Sequence, residues 1–133
     1  MLAEKNAQQI LEQIVNNGIV TPFFDGADIH VRIIDDSSKL SLTAIVFDGG
    51  GYIPSSVRAC LASKAPFFKS KIPTFLSIDE NHFQVKINYL GKIDLDDCNE
   101  LRELLESFGI ITEKWRDYLE EHGKKDLVYI NAK

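Results

Sequence analysis

Apolar side chains at Leu2, Ala7, Ile10, Leu11, Ile14 and Val15 recur every three to four positions, with Glu4, Lys5, Gln8, Gln9, Glu12 and Gln13 between them. That spacing predicts an amphipathic helix over residues 2–17. Asn16, Asn17 and Gly18 should end it, since Asn and Gly tolerate the left-handed conformation that closes a helix. The period then falls to two. Ile29, Val31 and Ile33 alternate with His30 and Arg32, and the Asp and Ser residues at 35–38 predict a turn. Beyond it, Leu40, Leu42, Ala44 and Val46 alternate with Ser41, Thr43, Ile45 and Phe47. Ile45 and Phe47 fall on the second face, so this strand is expected to be covered on both sides near its end.

The glycines in DGGGYIP at 48–54 predict a bend, with room for a short strand at Tyr52–Ile53. A short helix follows from Ser55 to about Lys64, closed by Pro66 and trailed by Phe67 and Phe68. Residues 74–89 read as a hairpin: strand 74–78, a turn at Asp79–Asn81, and strand 82–89 with Phe83, Val85, Ile87 and Tyr89 on one face. A last helix, capped by Asp94 or Asp96, carries the stripe Leu95, Cys98, Leu101, Leu105, Phe108, Trp115 and Leu119. It is expected to run to about His122, with Gly109 a place for a bend. Residues 124–133 read as a tail with room for a short strand at 127–130. Helix, strands, helix, β-hairpin and helix in that order predict an α+β fold, with helices packed on an antiparallel, twisted sheet.

A length of 133 residues fits a single domain over 1–133, and 44% hydrophobic with 26% charged residues is ordinary for a folded chain. The formal net charge of −5 argues against nucleic acid as a partner, because phosphate-backbone binding needs clustered Lys and Arg. No apolar run approaches the roughly 20 residues of a membrane span, so no membrane insertion is expected. Glu4 and Lys5 stand where a signal peptide would need a basic start and an unbroken apolar core. Cys60 and Cys98 lie far apart, without paired spacing, on apolar helix faces. Both features suit a cytoplasmic protein with small buried thiols.

No catalytic pattern emerges, and no cofactor is expected. Gly51 is followed by Tyr52, Ile53 and Pro54, not by the Lys and hydroxyl of a phosphate loop. The acids at Asp35–Asp36 and at Asp94, Asp96 and Asp97 lack the alternating ligands and central glycine of a calcium loop. His30, His82 and His122 have no metal-ligand spacing. A small enzyme is therefore the weakest class, and a binding protein the better one.

The segments Ser41–Phe47 with Ile53–Pro54, Val57–Phe68, Phe75–Tyr89 and Leu95–Leu119 carry a resemblance. Their order is similar to that of the class I type III secretion chaperones, the Tir-chaperone-like (CesT-like) family. That family shows a strand rising to a Leu-Pro-like pair, a helix ending in a Pro-Phe-Phe-like segment, a hairpin opened by Ile-Asp, and a last helix ending near a tryptophan. With the first helix the likeness spans nearly the whole chain. Two features depart from the pattern: glycines replace the third strand of the first sheet segment, and the Lys124–Lys125 tail has no fixed counterpart.

The resemblance implies a homodimer in the bacterial cytoplasm that uses no nucleotide. It implies binding the N-terminal segment of a secreted effector in an extended, non-globular state, keeping it soluble and competent for secretion. Carried onto this chain, it places the dimer interface at Val57, Cys60, Leu61, Phe67 and Phe68. It places client binding at Ile10, Ile14, Val15, Val31, Ile33, Leu42 and Ala44. Some of these positions must build the monomer core, and the sequence does not separate the two groups. The alternative is a regulatory module with the same fold, contacting a partner such as the transcription machinery through Glu100, Glu103, Glu106, Glu113, Glu120 and Glu121. A solvated helix face is the simpler explanation of that acid row.

Overall fold

The alternation around position 44 becomes the centre of a sheet. A computed structural model of the chain describes residues 4–24, 27–34, 39–62, 72–94 and 97–131. Helix α1 (Glu4–Asn17) leads into the short strands β1 (Ile19–Val20), β2 (Phe23–Phe24) and β3 (Ala27–Asp28). Strand β4 (His30–Ile34) and the long β5 (Lys39–Asp48) follow, then helix α2 (Ser55–Ala62). The hairpin β6 (Phe75–Asp79) and β7 (Gln84–Lys92) and helix α3 (Cys98–Asn131) complete the order. Among the described residues, one antiparallel sheet has the strand order β1–β4–β5–β7–β6, and β2 pairs with β3 in a separate ribbon. The fold is α+β, as the order of periods predicts.

Register explains why the apolar residues share a face. Val31 lies opposite Leu42 and Ile33 opposite Leu40; Ala44 lies opposite Ile87, which also faces Leu76. Alternate residues of an antiparallel pair point the same way, so each such row adds to one surface. The helices cover that surface. Ala7, Ile10 and Ile14 of α1, Val57 and Cys60 of α2, and Leu101, Leu105, Phe108, Trp115 and Leu119 of α3 join it in one continuous core. Leu104 and Ile111, outside the predicted stripe, are buried as well. Burying one side chain such as Phe108 stabilises the fold by about 1.5–3 kcal/mol.

Two helix ends follow from capping chemistry. Gly18 takes φ 76°, and its N–H donates to the Ile14 carbonyl at 2.8 Å, which closes α1 where the Asn-Asn-Gly run predicted. The cap of α3 is Asp97, not Asp94 or Asp96. Its Oδ1 accepts from the N–H groups of Asn99 at 3.0 Å and Glu100 at 3.2 Å. Of the acids at 94, 96 and 97, the one next to the first helical residue reaches two orphan donors.

Several expectations change. Strands β1, β2 and β3 are too short to show an alternation and were not anticipated. Tyr52–Ile53 is not a strand. Gly49 passes so close to the Tyr52 carbonyl that a Cβ there would overlap it, while Gly50 takes φ 73° and donates to Asp48 Oδ1 at 3.1 Å. The hairpin turn is longer than predicted: β7 begins at Gln84, and Phe83 sits in the left-handed region at φ 55°. Residues 124–131 continue α3 where a tail with a strand was expected. A helix already propagating extends at little cost, which overrides the strand-forming residues in that stretch. The expected turn at 35–38, Pro66, Phe67, Phe68 and Leu95 lie outside the described residues.

Candidate binding surfaces

The polar side chains that a catalytic reading would use are engaged structurally. His82 Nδ1 meets Asp79 Oδ2 at 2.8 Å in the hairpin turn. His122 Nδ1 donates to the Tyr118 carbonyl at 2.9 Å within α3, and His30 Nδ1 lies 3.4 Å from Thr21 Oγ1. Cys60 is buried, its thiol donates to the Ser56 carbonyl at 3.2 Å, and burial pushes its pKa up, opposed by a contact with Tyr118. A thiol held neutral in this way is a weak nucleophile. Among the described residues, no group of three His, Cys, Asp or Glu side chains gathers to hold a metal ion.

The structure separates the apolar positions that the sequence left mixed. Ile14, Val31, Leu42 and Ala44 are fully buried inside the monomer, and Ile10 is 8% exposed. The physical reason is register: Val31, Leu42 and Ala44 sit on the sheet face that the helices cover, and Ile10 and Ile14 sit on the face of α1 turned to the same core. Within the monomer they are core. Val15, by contrast, is 60% exposed, one step around α1 from Ile14. Ile33 is half-buried, and its N–H donates to the Gly18 carbonyl at 3.0 Å, which ties β4 to the exit of α1. Ile33 thus lies beside the exit of α1, next to the edge strand β1, while the exposed Ile19 of β1, opposite Arg32, lies on the other face of the sheet.

The dimer positions divide similarly. Val57 and Cys60 belong to the monomer core, while Leu61 is half-buried at the rim of α2. Two contacts anchor α2. Ser56 Oγ donates to the His122 carbonyl of α3 at 2.9 Å, and Arg58 makes a two-pronged contact with Glu80 in the hairpin turn at 2.9 and 3.1 Å. Glu80 is held below its ordinary carboxylate range by the hydrogen bond from Arg58.

One surface was missed by sequence reasoning. The sheet face turned away from the helices carries exposed apolar side chains on three strands: Ile45 (37%), Leu90 (47%) and Phe75 (57%). Ile45 and Phe47 were expected to share that face. A register shift between them turns Phe47 back toward the helices, against Gly123 of α3, and leaves Ile45 outside. Adjacent apolar pairs such as Tyr89–Leu90 are the signal that could have found it, since neighbours in a strand point opposite ways.

Three helices over one face of a five-stranded antiparallel sheet, counted among the described residues, make an α+β fold that is also found in a solved structure. The chain is similar in fold to SpcU in the heterodimeric ExoU–SpcU complex from the type III secretion system of Pseudomonas aeruginosa. The TM-score is 0.56 at 15% sequence identity, covering 85% of this chain and 97% of that one. No model of a protein family matches the sequence, and no curated protein sequence does.

Proposed function

We propose that this protein is a class I type III secretion chaperone. It binds the N-terminal segment of a secreted effector in an extended form and keeps it ready for export. The observation that carries this reading is the shared fold: almost the full length of SpcU, which forms a complex with ExoU, superposes on this chain. The order of sequence motifs supports the same class independently.

On this reading the client lies along the corner beside α1, where Val15 faces water near Ile33 and the edge strand β1. Backbone bonds at such an edge accept many sequences, and alternate side chains add selectivity. The homodimer forms around α2, with Leu61, Phe67 and Phe68 at the contact and Val57 and Cys60 supporting them from the core. The chaperone acts in the cytoplasm, before export.

Two measurements test the proposal. Sedimentation equilibrium at micromolar concentration should give twice the chain mass of 15.0 kDa, and Leu61→Asp should halve it while preserving the helical circular dichroism. Co-expression with the N-terminal segment of a secreted protein encoded beside it should yield a stable soluble complex. A strict monomer that retains no such segment overturns the reading.

A further inference from the structure

The outer sheet face holds a furrow of about 290 Å³ lined by His30, Arg32, Ser41, Thr43, Ile45 and Lys86. Its floor is made by the small side chains of β5, Ser41 and Thr43. Its walls are the longer side chains of β4 on one side and β7 on the other, as the register requires: His30 opposite Thr43, Arg32 opposite Ser41, Ile45 opposite Lys86. The chain has 20 Asp and Glu against 15 Lys and Arg, yet among the described residues no carboxylate lines this furrow. Leu90 stands opposite Ser41 on the same face, so cations and exposed apolar groups are interleaved.

From this we infer that the furrow docks an acidic segment of another protein, one that carries apolar side chains between its carboxylates. The Thr43 hydroxyl on the floor is already engaged within the sheet. Thr43 Oγ1 donates to Asn88 Oδ1 at 3.2 Å, and Asn88 Nδ2 in turn donates to Ser77 Oγ at 2.9 Å. Recognition falls to the walls. Arg32 is exposed and is placed to take a carboxylate in two-pronged fashion. Lys86 bonds Asp79 at 3.3 Å, and an ammonium carries two further donor hydrogens beyond that one bond. Arg32 and Lys86 stand two strands and four register steps apart, roughly 16 Å from backbone to backbone, the reach of about five residues of extended chain. Ile45 and Leu90 lie between and beside them and suit the apolar side chains.

Charge selects this occupant over two others. A second copy packed by two-fold symmetry would set the basic furrow against itself. A nucleic acid would meet a chain of net charge −5 and a furrow bordered by Ile45 and Leu90. This inference stands on the sheet alone and does not depend on the chaperone reading.

The test uses the full chain and a short fluorescein-labelled peptide of Glu, Leu and Ser, with a control in which every Glu is Lys. Anisotropy should show binding of the acidic peptide, weakened by salt, and little of the basic one. Backbone amide shifts should move at Arg32, Ser41, Thr43, Ile45 and Lys86. Arg32→Glu, with its folding checked by the same spectrum, should weaken binding by about tenfold or more. The proposal is overturned if the two peptides bind alike or not at all, or if the shifts map elsewhere. It is also overturned if an oligothymidylate binds as tightly as the acidic peptide, or if Arg32→Glu converts a dimer into a monomer, which would make the face a contact between copies.

Discussion

Asp79 organises the turn between β6 and β7. Its Oδ1 accepts the N–H groups of Asn81 at 3.1 Å and His82 at 3.2 Å, and its Oδ2 accepts from the His82 ring and from Lys86. The hydrogen bond from the His82 side chain is the largest of the effects that lower its pKa from 3.8 to about 2. A depressed folded-state pKa stabilises the fold above the unfolded value, and that contribution is lost as pH falls from near 4 through about 2. His82→Ala should therefore raise the Asp79 pKa and bring acid-induced loosening of the hairpin to higher pH. A carboxyl-carbon NMR titration reads the first effect, and amide shifts of Asn81 follow the second. An unchanged Asp79 titration in His82→Ala would assign the low pKa to Lys86 and the backbone instead. A turn at Asp79 was legible in the sequence, because Asp is a common turn-former. The left-handed Phe83 was not, since a bulky residue with positive φ is held there by its surroundings and not by its own preference.

At the scale of elements, the hydrophobic periods located α1, β5, α2, the hairpin and α3, because each repeats over enough residues to be unmistakable. They failed where an element is two residues long, as in β1, and where a single extra residue breaks the period. The register shift in β5 is such a case: it turns Phe47 to the helix side, where a Cβ on Gly123 would come within 3.0 Å of the ring. In the sequence Gly123 reads as a helix stop. In the fold it is the gap in α3 into which Phe47 packs. Gly123→Leu should therefore destabilise the protein by about 1–3 kcal/mol despite the better helix propensity of Leu, because overpacking outweighs the gain of roughly 1 kcal/mol. Urea unfolding followed by circular dichroism measures the sum. An increase in stability would mean that the Phe47 ring swings aside freely.

For the whole molecule the decisive division is between apolar residues that close the core and those left outside. Ile14 and Val15 are neighbours in sequence and opposites in role. Ile14→Ala should cost about 2–5 kcal/mol by opening a cavity in a packed core. Val15→Asp should leave the unfolding midpoint nearly unchanged and lower retention of a bound effector segment, measured by co-purification at equal chaperone concentration. Equal retention by Val15→Asp would move the client contact away from the corner beside α1. The same division sets the outer sheet face apart, since Ile45, Leu90 and Phe75 belong to strands whose other side packs on the core.

By itself the sequence determined the kind and order of the elements and the inward face of each long one. Periods of two and of three to four are local properties, written over a few consecutive residues. Only the tertiary structure decided the order of strands, the partner that fills the space at Gly123, and which apolar side chains remain in water. Burial depends on what distant segments bring alongside, and no window of neighbouring residues contains that information.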